Sequence, residues 1–170
     1  MTISLAEART LFAYDPETGA ISWAAHRRRG QEKGARVGFV HKTKGYREIS
    51  IKIAGKQHHI SEHRLAWLLT HGEWPRLHID HINGVKDDNR LANLRLATKA
   101  QNQANTGRYR NNTSGYRGVS RSSQCHRWRA SIKVSGRSRT IGYFETKEQA
   151  AQAYEIAARA AFGEYVRGQQ

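Results

Sequence analysis

Apolar positions along the chain come in short blocks of two different periods, so the elements they predict are small. Ser4-Leu-Ala-Glu7 is a capping-box pattern, and Leu5, Ala8, Leu11 and Phe12 behind it predict one brief helix. Asp15-Pro-Glu-Thr-Gly19 predicts a turn. Strands are expected over 20–23, 37–41, 46–53 and 57–60, with glycines between them. At Ser61 the period changes: Leu65, Leu68 and Leu69 share one face of a helix over 61–71, and Gly72 and Pro75 stop it. Two short strands, 77–81 and 94–97, then flank a polar loop, and Thr98-Lys-Ala-Gln101 is a second capping box that opens a helix ending at Gly107.

Residues 107–114, Gly-Arg-Tyr-Arg-Asn-Asn-Thr-Ser, are polar and without period, which marks a linker. Beyond it, 116–120, 128–134 and 139–144 read as three strands. Thr146-Lys-Glu-Gln149 caps a helix with apolar positions Ala150, Ala153, Tyr154, Ala157, Ala158 and Ala161, ended by Gly163. The organisation predicted is a β-rich N-terminal segment, 1–59; a strand, loop, strand, helix unit, 60–106; the linker, 107–114; and a small three-stranded antiparallel sheet packed on one helix, 115–167. The fold class is α+β. A chain of 170 residues divided in this way leaves each part only a modest core.

Charge narrows the partner. The chain carries 29 Lys+Arg against 14 Asp+Glu, a formal charge of +15, well beyond what solubility alone requires. A membrane surface would call for a basic helix with a broad apolar face, whereas the basic residues here sit in strand-like and loop-like segments, so nucleic acid is favoured. The interval 26–47 holds eight Lys/Arg against Glu32 alone, which suits either a phosphate-contacting hairpin or a solvated basic loop. From 107 to 144 there are nine Lys/Arg and no acid. Within it, Arg127, Arg129, Ser131 and Lys133 alternate with Trp128, Ala130, Ile132 and Val134, giving a strand with one cationic and one apolar face. Cys125, the single cysteine, excludes an internal disulfide and a cysteine-based zinc ribbon. Residues 1–14 lack a charged start followed by an apolar run, and no stretch reaches membrane-spanning length. A soluble, intracellular, cytoplasmic protein is expected.

The stretch with chemistry runs from Asp80-His81-Ile-Asn-Gly84 through Asn93 to Asn102. Phosphodiester hydrolysis requires a hard cation beside the phosphate, and a carboxylate with an amide oxygen suits magnesium; Asp80 and Asn102 can supply them. It also requires a base neutral near physiological pH, for which His81 is the candidate. Adjacent strand residues point to opposite faces, so Asp80 and His81 can serve one site only if the strand ends there, and Ile82-Asn-Gly84 offers the turn. Asn93 can hold the intervening loop through side-chain to backbone hydrogen bonds. His63 reads as a structural helix residue, and Asp87, Asp88, Asn89 and Arg90 as loop formers.

With His63-Arg-Leu-Ala-Trp67, Asp80-His81, the run Asp88-Asn-Arg-Leu-Ala-Asn93-Leu and the final Asn102, residues 60–106 resemble the HNH endonuclease motif of phage homing endonucleases. The resemblance implies a ββα-metal nuclease core, His81 as general base, Asp80 and Asn102 as metal ligands, and Asn93 as loop brace. It implies one Mg2+ or Mn2+ per active site, double-stranded DNA as substrate, 5′-phosphate and 3′-hydroxyl products, and a phage-encoded protein in a bacterial host. Asn102 in place of histidine, without cysteine pairs, argues against zinc. No membrane or small-molecule substrate is expected, and a monomer is compatible with this.

A second resemblance covers about 112–167, carried by Gly115-Tyr-Arg-Gly-Val119, Trp128-Arg-Ala-Ser-Ile132, Ile141-Gly-Tyr-Phe-Glu-Thr146 and Ala150-Ala-Gln-Ala-Tyr154. These are similar to the APETALA2/ethylene-response-factor DNA-binding domain. The similarity implies that Arg117, Arg121, Arg129 and Lys133 face DNA, with Arg127 and Arg139 as further candidates. Thr140 stands where the plant domains often place an aromatic, which shifts the expected contacts there toward phosphate. Two other functions stay open: a DNA-binding regulator with a degenerate nuclease motif, distinguished by retarded DNA without metal-dependent cleavage, and an RNA-binding protein, disfavoured because the aromatics form no exposed stacking series.

Overall fold

The computed structural model describes residues 3–29, 31–53, 55–107, 111–123 and 125–168. The chain is mixed α+β, with small sheets and four α-helices among the described residues, and forms two compact units, Met1–Leu96 and Ala97–Gln170. Part of the expected linker, 108–110, lies outside the described residues.

In the first unit, α1 (Leu5–Leu11) begins at the foreseen capping box: Ser4 accepts from the Glu7 amide and Glu7 from the Ser4 amide. Phe12 does not continue the helix. It takes φ −130° and starts β1 (Phe12–Tyr14), which pairs antiparallel with β2 (Ile21–Trp23) so that the Phe12 and Trp23 rings stack at 5.4 Å. An aromatic at a helix end gains more from that cross-strand stack than from one further helical residue. A second sheet has the order β3 (Phe39–Val40), β4 (Arg47–Ile53), β5 (Lys56–Ser61), all antiparallel.

The helix α2 (Glu62–His71) buries Leu65, Ala66 and Leu68 and ends at Gly72, whose φ of +80° suits the left-handed C-cap. Ser61 precedes it without a side-chain cap bond. The core gathers Phe12, Ile21, Trp23, Ile49, Ile51, Leu65 and Leu68 from these elements, together with Ile79 and Leu94. Those last two come from β6 (His78–His81) and β7 (Leu94–Ala97), neighbours in a two-stranded sheet.

Beneath that core lies a charge. Glu62 is fully buried; Arg47 Nε meets its Oε2 at 2.5 Å, and the Arg36 guanidinium stands 3.6 Å from its Oε1. Arg47, from the basic interval 26–47, thus faces inward, while Arg36 reaches toward the same carboxylate from an exposed position.

In the second unit, α3 (Lys99–Asn105) opens at the Thr98 capping box. The antiparallel sheet β8 (Val119–Arg121), β9 (Trp128–Val134), β10 (Arg137–Phe144) packs against α4 (Lys147–Phe162), itself opened by the Thr146 capping box. Val119, Ala130, Ile132, Ala150, Tyr154 and Ala158 form its core. The small alanine side chains of α4 let the sheet approach closely; Ala150, Tyr154 and Ala158 of the expected face are buried, Ala151 joins them, and Ala161 is exposed. No helix among the described residues is long and apolar enough to cross a membrane.

Candidate active site

β6 ends at His81, and the chain turns at once: the Gly84 amide bonds the His81 carbonyl at 2.8 Å, with Gly84 at φ +71°. That termination lets Asp80 (3% exposed) and His81 (4%) both be buried although they are neighbours on a strand. Asn93 fastens the loop. Its Oδ1 accepts the Asn83 amide at 2.9 Å, its Nδ2 donates to the Asp88 carbonyl at 2.7 Å, and its own carbonyl accepts from the Ile82 amide. Asp88 in turn holds Asn83 and Arg90, and those bonds draw its carboxyl down to about 2.

The His81 imidazole is set by Asn89, which is 1% exposed and places Oδ1 3.0 Å from Nε2. With the Asn89 oxygen as acceptor, this contact favours the tautomer that donates from Nε2. Burial pushes the imidazole below its ordinary range, with the Asn89 bond and Asp80 opposing, so the neutral, basic form dominates at physiological pH. The His63 ring meets it edge-on at 5.3 Å, and Tyr46 lies 5.8 Å away, also touching His63 at 5.3 Å. The Lys86 ammonium lies over the Tyr46 ring, 4.9 Å from its centre.

Asp80 bonds across the small sheet to Arg95, whose Nε and Nη2 both reach Oδ2 at 2.9 Å. This geometry fixes the carboxylate in one orientation. Asn102 lies in α3 of the second unit, partly buried, its amide bonded to the Thr98 carbonyl at 2.9 Å. Among the described residues no three His, Cys, Asp or Glu gather as a metal site. A carboxylate and a neutral amide would not form such a set, yet both are hard oxygen donors of the kind magnesium accepts when phosphate and water complete its shell.

The N-terminal turn grips the loop that carries Asn89. Tyr14 donates its hydroxyl to the Asn89 carbonyl at 2.8 Å, the Leu91 amide bonds the Pro16 carbonyl at 3.0 Å, and Gly19 packs on the Asn89–Arg90 peptide. A Cβ at Gly19 would stand 2.4 Å from the Arg90 nitrogen, at φ +71°. Gly19→Ala is therefore expected to cost about 2–3 kcal/mol in urea unfolding, combining left-handed strain with a backbone clash. It should also displace Asn89, which a change in the His81 ring resonances by NMR would report.

His63 is the most perturbed base here. Burial, then the neighbouring His81 and Arg64, push it down to about 3. Because the folded value lies below the unfolded one, the unfolded chain binds the extra proton between about 6.5 and 3, so stability falls as pH drops through that window. From pH 7 to pH 5 this amounts to about 2 kcal/mol, and denaturant melts of His63→Gln should lack that increment.

The cations expected to face DNA divide among three settings. Arg129 and Lys133 are exposed on β9, and the register sets Arg129 opposite Ser120 and Tyr143, and Lys133 opposite Ser138. Arg127 is exposed just before β9. Arg121 and Arg139, also exposed, hold the register positions of Trp128 and Ile132, the alternate face, and Arg121 lies over the Trp128 ring at 5.2 Å. Arg117 spends its guanidinium on backbone carbonyls of Gln103, Ala104 and Thr106.

The motif names His63 only as a structural helix residue and Asn89 only as a loop former, and it assigns no role to Arg95 or Tyr46. Arg95 had a signal, since it sits opposite in charge to Asp80 on a neighbouring strand. Tyr46 and Gly19 had none, because only the tertiary fold brings them there.

Comparison with known proteins bears on the same segment. Residues 62–104 match the HNH endonuclease family. An uncharacterized HNH endonuclease, L560, of Acanthamoeba polyphaga mimivirus is 36% identical over 105 residues, covering 61% of this chain and 54% of that protein. Protein 3.8 of Escherichia phage T7 is 36% identical over 76 residues, covering 44% of this chain and 63% of its own. The chain thus spans between half and two thirds of these relatives. The solved structure of the HNH homing endonuclease I-HmuI, described as binding and cleaving DNA, aligns at a TM-score of 0.46 and 25% identity, over 62% of this chain and 57% of that one.

Proposed function

We propose that this chain, through the HNH endonuclease segment at 62–104, is a metal-dependent endonuclease that hydrolyses phosphodiester bonds in double-stranded DNA. The observation that carries it is the buried His81, oriented through Nε2 by Asn89 and next in sequence to the fixed carboxylate of Asp80. Water attacking the phosphorus gives its proton to His81 Nδ1, the nitrogen that Asn89 leaves basic. Asp80 and Asn102 would hold one Mg2+ or Mn2+ by their oxygens. When bound, such an ion stabilises charge on the phosphate and on the departing 3′-oxygen. Asn93 keeps the loop rigid, so the imidazole needs no rearrangement before reaction.

The second unit supplies duplex affinity in this proposal, with Arg129 and Lys133 on the outer sheet face making largely phosphate contacts, and Arg127 beside them. Its likeness to the APETALA2-type domain rests on the sequence pattern. A homing or mobile-element role is the corresponding biological context.

A DNA-binding protein without catalysis is the competing function, and Arg95 favours it, because a carboxylate gripped by two guanidinium nitrogens attracts a cation less. Supercoiled plasmid separates the two. Nicked or linear product that appears with Mg2+ or Mn2+ and disappears with chelator is expected; plasmid that is retarded but never cut, in either metal, decides for the regulator.

A further inference from the structure

The helix α3 is poorly equipped to stand alone. It has seven residues, Lys-Ala-Gln-Asn-Gln-Ala-Asn, below the length at which isolated helices persist, and Ala104 is its one buried apolar side chain. Its N-terminus is satisfied internally by Thr98 and Gln101. Its C-terminus has no glycine cap: Thr106 follows in an extended conformation and bonds the Gln103 carbonyl through its amide and hydroxyl, which leaves the other last carbonyls to find partners beyond the helix.

Arg117 supplies them. Nη1 donates to the carbonyls of Ala104 and Thr106, the latter at 2.8 Å, and Nη2 donates to the Gln103 carbonyl at 2.6 Å. A cation at a helix C-terminus also meets the negative end of the helix dipole. The arginine is itself fixed by its successor. Gly118 has φ +71°, its carbonyl accepts the Ser131 amide at 2.8 Å, and a Cβ there would come within 2.1 Å of the Tyr154 ring and 2.8 Å of the Ser131 carbonyl. The backbone at 117–118 is thereby pressed into the core between β9 and α4, and the guanidinium reaches out from that anchor.

We propose that Arg117 is a positioning residue that ties α3, and with it the oxygen of Asn102, to the core of the C-terminal unit. Within that unit, Arg117 then fixes the helix that carries the Asn102 oxygen against the sheet and α4. The inference rests on the nuclease assignment of Asn102; the attachment of α3 to Arg117 does not. Lysine cannot reproduce three fixed donors to three carbonyls, so Arg117→Lys is a partial substitute only.

Three measurements on the full chain test it, with Arg117→Ala, Arg117→Lys and wild type. In metal-free protein, hydrogen exchange at the amides of Gln103 to Thr106 is expected to speed up about tenfold in Arg117→Ala, less in Arg117→Lys, with Ile132 and Ala158 unchanged. Mn2+ binding, followed by the electron paramagnetic resonance of the free ion, should weaken about tenfold, the usual scale when a residue behind a metal ligand is removed. DNA affinity without metal, and its salt dependence, should stay at wild-type values. Unchanged exchange and Mn2+ affinity, with a salt slope shallower by about one, would overturn the proposal and make Arg117 a phosphate contact. Faster exchange with no Mn2+ binding even in wild type overturns the metal assignment of Asn102 and leaves the α3 attachment intact.

Discussion

Replacing His81 by alanine is expected to lower single-turnover plasmid cleavage about 10²- to 10⁴-fold, the range that a positioned general base contributes. Affinity for duplex DNA should remain, because the side chain is 4% exposed and carries no charge at neutral pH. The alanine leaves a void against the His63 and Tyr46 rings, so His81→Gln, which retains much of the volume but has no basic nitrogen, is the companion variant. Both should bind, and both should cut only at that reduced rate. Asn89→Ala should fall between them and wild type, since it frees the Nε2 proton and lets the imidazole choose its tautomer. Cleavage by His81→Gln at the wild-type rate would remove His81 from the chemistry.

The largest effect on stability is expected from Arg47→Met. Glu62 has no exposed surface, and Arg47 gives it the closest ionic contact in the first unit at 2.5 Å while also donating to the carbonyls of Val37 and Gly38 at 3.3 Å. Arg36 cannot take over, being half exposed and 3.6 Å away. Removing one member of a buried pair costs about 3–5 kcal/mol because the other charge stays behind. Burial already raises the Glu62 carboxyl against the pull of both arginines, so the orphaned acid can escape by binding a proton. The loss in urea unfolding free energy should consequently be larger at pH 8 than at pH 5. Arg47→Met combined with Glu62→Gln should recover a good part of it. A single-variant cost below about 1 kcal/mol would mean that the pair is not what joins β4 to α2.

Local signals made much of the scaffold legible. Capping boxes at Ser4, Thr98 and Thr146 start α1, α3 and α4, and alternation in Trp128–Val134 gives β9 with its exposed Arg129 and Lys133. These are short-range devices, written within four to seven residues. Phe12, which the apolar spacing places in the helix, leaves it for the opposite reason: its partner Trp23 lies beyond a turn, and the ring stack decides its conformation. The same holds around the site. Asp80, His81 and Asn93 stand out as a spaced motif, whereas Asn89 looked like a loop former and proves to contact the imidazole. Charge density likewise counts Arg47 with the phosphate-contacting or solvated cations of 26–47, and cannot register Glu62, fifteen residues past it, as its buried partner.

The grip of Tyr14, Pro16 and Gly19 on residues 89–91 bears on how portable the motif is. A cassette cut at 62–104 and grafted into a foreign scaffold would carry its histidine and acids but lose the strut that aims them, some seventy positions upstream. Recombination that shuffles such a segment between hosts would have to bring the upstream hairpin along, or find another support for Asn89 in the recipient.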